Sequence, residues 1–237
     1  MTDRELLAFL DVTSLTGAES EAEVLALAER LQESPVVPAA LCIYPTHLAA
    51  VAAAQPSRTW ALATVVNFPT GSLDPDAVGR DVERAVAEGA QEIDAVLALD
   101  AFFAGDLGRA AAVFHAVRAA APAACFKAIL ETGDVRHSPG SWGRAADCAL
   151  EAGADFLKTS TGKVPVGATP DAVEVLLDAI GSSAVGLKVS GGIRTSEAAA
   201  GYAAQVAARF PNSPLLPTRF RIGASELFNL LTHRARL

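Results

Sequence analysis

Long apolar runs are missing: no stretch of the 237 residues approaches the roughly 18 uninterrupted apolar positions that a membrane-spanning helix needs, although 51 % of the residues are hydrophobic. The chain is expected to be soluble. Cysteine is scarce, and Cys42, Cys125 and Cys148 are odd in number and have no CxxC spacing, which argues against a disulfide framework and a zinc site alike. They are expected to be reduced thiols. His47, His115, His137 and His233 form no HxH or HExxH pattern, so a metal site is disfavoured. Positive charge is also in deficit, with 19 Lys and Arg against 27 Asp and Glu for a net charge of −8. Nucleic-acid binding rests on phosphate neutralisation by Lys and Arg, so this balance opposes it. The opening MTDRELLAFL lacks the basic-then-apolar order of a signal peptide, which gives a cytoplasmic expectation. No Gly/Ser linker or low-complexity tract divides the chain, so residues 1–237 are read as one domain.

What is present is a repeat of one unit. Short apolar segments alternate with amphipathic, alanine-rich stretches, as in parallel strands connected by helices. Eight strands are read: LDVTS from Leu10, ALCIYP from Ala40, ALATVVNFP from Ala61, EIDAVLAL from Glu92, CFKAILET from Cys125, ADFLKTST from Ala154, VGLKVSGG from Val185 and RFRIGAS from Arg219. Helices are expected at Glu19–Glu33, Pro45–Ala54, Asp74–Glu88, Leu107–Ala120, Trp142–Ala152, Pro170–Ile180, Ser196–Ala208 and Ser225–Arg234. Eight βα units predict a TIM (β/α)8 barrel of a single domain. An open doubly wound sheet is the alternative, disfavoured because the first strand lacks a GxGxxG turn.

Charges inside the strands suggest chemistry. Asp94, Lys127, Lys158 and Lys188 each interrupt an apolar strand at intervals of about 30 residues, the length of one βα unit. Ionised groups enter a barrel interior only when paired, hydrogen-bonded or facing a wet cleft. Solvated strand ends or structural bracing would be the inert explanations. A free lysine titrates near ~10.4, and a neighbouring ammonium together with desolvation favours the neutral amine. Lys188 could thus activate Lys158 to attack a carbonyl and form an imine, with Asp94 moving protons. Thr159, Ser160 and Thr161 could bind sugar hydroxyls. Lys127, the remaining strand charge, is grouped with the substrate contacts. GGIRT at Gly191–Thr195 and IGAS at Ile222–Ser225 fall where barrels of this kind hold phosphate, and Lys163 could add positive charge.

The strings CIYP, NFP, EIDAV, ILETG, ADFLKTSTGKV, ATPDA, GLKVSGGIRT and RIGAS, in this order, resemble the deoxyribose-phosphate aldolase family of Schiff-base enzymes. The match runs from Asp11 to Ser225. The resemblance implies reversible cleavage of 2-deoxy-D-ribose 5-phosphate to D-glyceraldehyde 3-phosphate and acetaldehyde. It further implies that Lys158 forms the imine, that Asp94 and Lys188 transfer protons, and that Asp11, Thr13 and Thr161 touch sugar hydroxyls. Gly162, Lys163, Gly191, Gly192, Gly223 and Ser225 would hold the phosphate. No cofactor is expected, because such chemistry requires no metal, and a homodimer is the expected assembly.

Two features depart from the family pattern. Some members end in a tyrosine tail that assists proton transfer, whereas this chain ends THRARL. Glu226 follows Ser225 where a second serine can occur, placing a negative charge near the expected phosphate site. Cys42 is read as a core thiol. A sugar-phosphate sensor without turnover, or another phosphate-binding barrel lyase or isomerase, remain the competing functions.

Overall fold

Alternation at period two decides which way each strand faces, because successive side chains leave a strand on opposite sides. The computed structural model describes residues 1–72 and 74–235, and in it eight parallel strands close into a barrel in the order β1 to β8, with β8 hydrogen-bonded to β1. After a short helix α1 (Asp3–Leu7), the chain runs β1 (Leu10–Ser14), α2 (Glu21–Gln32), β2 (Ala40–Ile43), a 3-10 turn at Pro45–His47, α3 (Leu48–Ala54), β3 (Ala61–Val66) and α4 (Pro75–Ala87). It continues through β4 (Glu92–Val96), α5 (Leu99–Phe103), α6 (Leu107–Ala120), β5 (Cys125–Ile129), α7 (Pro139–Glu151), β6 (Phe156–Lys158), α8 (Pro170–Ile180), β7 (Gly186–Ser190), α9 (Ser196–Arg209), β8 (Phe220–Ala224) and α10 (Glu226–Ala235). The expected barrel of eight strands is observed. Arg236 and Leu237, the last two residues of THRARL, lie outside the described residues.

Outward-facing Leu10, Val12, Leu41, Ile43, Leu62, Ile93, Phe126, Leu157, Leu187, Val189, Phe220 and Ile222 join the helices in one large apolar core. Inward residues divide by strand. Ala40, Cys42, Ala63 and Val65, with Leu15, form a small apolar cluster on the β2–β3 side, while β1, β4, β5, β6, β7 and β8 contribute charged or polar side chains. Local chemistry starts the helices. Asp74, Thr169 and Thr195 each accept a bond from a first-turn amide, two of them followed by proline at the first helical position, and Ser20 and Glu23 make a reciprocal cap on α2.

The differences from the sequence reading are local. The helix expected from Pro45 starts as a 3-10 turn, and that expected from Trp142 starts at Pro139, since proline suits a helix's first turn. β6 stops at Lys158 rather than running through Thr161, and β4 gives way to α5 where a longer strand was read. α1 was not foreseen; it is five residues long, too short for a periodic signal, and packs on α9 and α10.

Candidate active site

The inward charges of five strands meet in one ring, to which a sixth strand, β6, adds Lys158. Arg221 donates from Nη1 to Asp11 Oδ1 at 2.6 Å and from Nη2 to Glu92 Oε1 at 3.1 Å. Glu92 Oε2 accepts from Lys127 Nζ, which also donates to Asp94 Oδ1 at 3.1 Å. Asp94 Oδ2 accepts from Lys188 Nζ at 2.7 Å, and Lys188 Nζ lies 2.5 Å from Asp11 Oδ2. The circuit Arg221, Asp11, Lys188, Asp94, Lys127, Glu92 alternates in sign and closes on itself. Lys158 hangs from it, donating to Asp94 Oδ2 at 2.7 Å. All seven side chains are buried. Pairing repays the desolvation of charges only when each finds opposite partners, and the ring supplies them.

The ring's three cations match its three anions, which leaves Lys158 as the unmatched base. Burial lowers the affinity of the Lys158 amine for a proton, with the nearby Lys188 ammonium acting in the same sense and the Asp94 carboxylate opposing both. Burial disfavours charge on Lys127 and Lys188 too, but the facing carboxylates overturn it and hold both amines protonated beyond their usual range. Asp94, despite burial, is held well below the usual carboxylate range by Lys127, Lys158 and Lys188. Asp11 is lowered in the same way by Lys188, Lys127 and Arg221. One amine inclined to neutrality thus sits beside two fixed ammoniums. The Lys188 effect expected from the sequence is present in direction, with burial the larger cause.

Above Lys158 lies a cavity of about 210 Å³ lined by Thr13, Lys158, Thr161, Gly162, Lys163, Ser190, Gly191, Gly192, Arg194, Gly223, Ser225 and Glu226, among others. Nine of the sequence-selected residues therefore share one cavity. Close backbone approach shapes it: Gly191 has φ +86, and a Cβ built there would come within 2.8 Å of Gly167 Cα, so only glycine meets both demands. Thr13 Oγ1 and Ser225 Oγ lie 3.0 Å apart, joining the end of β1 to the residue that follows β8. Lys163 Nζ donates to Leu15 O across the cavity mouth.

Four expected site residues do not line the cavity. Asp11, Asp94, Lys127 and Lys188 belong to the ring behind Lys158. The Lys127 amine is engaged by three carboxylates and the Asp11 carboxylate by Arg221 and Lys188. Thr159 and Ser160 are also behind the wall. Thr159 bridges to the Ser190 backbone, and Ser160 is fully buried. Thr161 does face the cavity, but its hydroxyl proton goes to Glu131 and its oxygen accepts from Lys163 N at 3.0 Å. Burial pushes the Cys42 thiol up to about 11, with Asp94 adding to the effect, which fits the core reading.

Four contributors escaped the sequence reading. Glu92 and Arg221 complete the ring. Arg194 stands on the cavity wall with its Nε 3.6 Å from Glu226 Oε2, both side chains largely exposed. Glu131, in the left-handed region at φ 49, accepts from Thr161 N at 3.1 Å. Glu92 and Arg221 could have been found by extending the count of charged inward positions to strand starts. Nothing in ILETG announces the backbone of Glu131. Among the described residues no His, Cys, Asp and Glu cluster is arranged to hold a metal ion, and no helix is long and apolar enough to cross a membrane.

Comparison with known proteins agrees with this geometry. Residues 7–212 match the family described as DeoC/LacD family aldolase. A deoxyribose-phosphate aldolase of Agrobacterium fabrum is 40 % identical over 227 residues, covering 94 % of this chain and 87 % of the relative. Among solved structures, the aldolase QR15 superposes with a TM-score of 0.85 at 25 % identity, covering 98 % of this chain and 96 % of its own. A tetrameric deoxyribose phosphate aldolase from Aeropyrum pernix shares the fold with a TM-score of 0.79 at 21 % identity, covering 100 % and 94 %.

Proposed function

The chain belongs to the DeoC/LacD family of aldolases, and from that membership we propose that it is a deoxyribose-phosphate aldolase working through an imine on Lys158. The observation that carries the assignment is that Lys158 alone among the amines of the buried cluster lines the cavity, and that its surroundings favour the neutral form. The neutral amine attacks C1 of open-chain 2-deoxy-D-ribose 5-phosphate, and loss of water gives the protonated imine. Removal of the C3 hydroxyl proton then breaks the C2–C3 bond. Its electron pair moves into the enamine, and D-glyceraldehyde 3-phosphate leaves. Protonation of the enamine carbon and hydrolysis release acetaldehyde and restore Lys158. Asp94 Oδ2 bridges Lys158 and Lys188 at 2.7 Å to each, so a proton can pass from one amine to the other by way of the Asp94 carboxylate, which takes it up transiently and then gives it on.

The phosphate is assigned to the loops of Gly162, Lys163, Gly191, Gly192, Gly223 and Ser225. Backbone N–H groups near the starts of α9 and α10 and the Lys163 and Arg194 cations suit a dianion. Thr13 and Thr161 are assigned to the sugar. The partners of this reading are phosphorylated sugars and aldehydes, not nucleic acid or membrane. We place the enzyme in the cytoplasm, on its three free cysteines, and take residues 1–237 as one domain that assembles as a homodimer.

Incubation with acetaldehyde at low concentration, borohydride reduction and peptide mass mapping tests the proposal. A stable adduct is expected on Lys158 and absent from Lys158→Leu. No adduct on the wild-type protein would eliminate the imine and favour a binding role alone.

A further inference from the structure

We propose that Glu92 and Arg221 are positioning residues for this reaction, acting on Lys158 through the charge ring without touching substrate. The inference rests on Lys158 as the imine-forming lysine. Neither residue lines the cavity, yet each holds one branch of the path to Asp94. Arg221 pairs with Asp11, which faces Lys188, and Lys188 donates to Asp94 Oδ2. Glu92 takes the Lys127 amine, which otherwise bears on Asp94 Oδ1. Both branches end on the carboxylate that holds Lys158.

Alternation in sign is what burial of six charges requires, but bracing the barrel alone would not require a seventh buried charge, Lys158, hung from the ring at the cavity wall. Charge neutrality within the ring gives the seventh group its character: with three cations matched to three anions, any proton on Lys158 is an excess buried charge. The groups facing Lys158 are Asp94 from β4, Lys188 from β7, Cys42 from β2 and Glu131 beyond β5. Glu92 and Arg221 stand behind these, and a change in either alters the balance with opposite sign. Removal of the Glu92 charge frees Lys127 to draw on Asp94, which weakens the hold of Asp94 on Lys158 and favours the neutral amine. Removal of the Arg221 charge leaves Asp11 and Glu92 in excess and favours the protonated amine.

The test is the pH dependence of acetaldehyde trapping on Lys158 by cyanoborohydride, read by peptide mass mapping, in wild type, Glu92→Gln, Arg221→Gln and Arg221→Lys. The acid-side midpoint is expected to move down by about one pH unit in Glu92→Gln and up by about one in Arg221→Gln, the scale of one unit charge at second-neighbour distance in a protein interior. Arg221→Lys keeps the charge and is expected to keep the midpoint while losing the fork. Unshifted midpoints, or shifts of the same sign, overturn the inference and leave the imine assignment standing. Absence of any wild-type adduct overturns both. Should Arg221→Gln fail to fold, the nearly isosteric Glu92→Gln decides alone, and an unmoved midpoint refutes the role.

Discussion

Lys127 and Lys158 carry the same side chain into the same barrel interior, and their neighbours make different species of them. Lys127 meets Glu92, Asp94 and Asp11 and is held protonated; Lys158 meets Asp94 with Lys188 beside it and is pushed toward the free amine. The first lysine is expected to stabilise the fold and the second to serve chemistry. Lys127→Leu leaves three carboxylates short of a cation, so it should cost about 3–5 kcal/mol in urea unfolding. Lys158→Leu removes the one base without a matched anion, so its unfolding midpoint should equal or exceed that of wild type while retro-aldol turnover is lost. Equal destabilisation by the two would show that the ring does not distinguish them. Lys188→Leu removes a fixed ammonium and a relay partner at once; turnover should fall by about 10²–10⁴-fold, and near-normal turnover at neutral pH would remove Lys188 from the mechanism. The sequence displayed these lysines clearly, because a charge within an apolar strand stands out. It did not display which amine faces the cavity, since that depends on pairing across β4–β5, β6–β7 and β8–β1.

Loops, rather than strands, make the anion end of the site, and they were legible for a different reason. Gly191 and Gly192 at φ +86 and +78 lead from β7 toward α9, and such turns call for glycine whatever they bind. Their adjacency to the β8 loop followed once eight units had been counted. Thr161 was legible as a position but not as a role, because its partner Glu131 is 30 residues away and reaches it only from a left-handed backbone. Lys163, tethered to the carbonyl of Leu15, joins the β6 loop to the β1 loop over the cavity. Lys163→Ala is therefore expected to raise KM for deoxyribose 5-phosphate by roughly 10–100-fold, on the scale of about 1.5–3 kcal/mol for a charge-assisted hydrogen bond. KM for unphosphorylated deoxyribose should change little. Equal effects on both substrates would place Lys163 at the carbonyl end instead.

For the molecule as a whole, the ring ties stability to pH in three separate windows. Asp11 and Asp94 have folded values far below the unfolded carboxylate value near ~3.9. Their contribution is complete above that value and is lost as pH falls below it, where the unfolded chain takes up protons that the folded chain refuses. Lys127 and Lys188 are raised above the usual lysine value, so their contribution is complete below ~10.4 and is lost as pH rises through the folded values. Lys158 has the reverse sign. Its folded value is lowered, so between that value and ~10.4 the unfolded chain binds the proton more readily, and stability from this one group increases as pH climbs through that interval. Urea midpoints measured from pH 3 to 10 should therefore fall steeply below about 4 and rise gently as pH climbs toward about 10. Lys158→Leu should abolish the gentle rise and leave the acid fall intact, while Asp94→Asn should make the acid fall shallower. A wild-type midpoint that stays level down to pH 3 would mean that the Asp11 and Asp94 charges are not bound to the folded state as the ring requires.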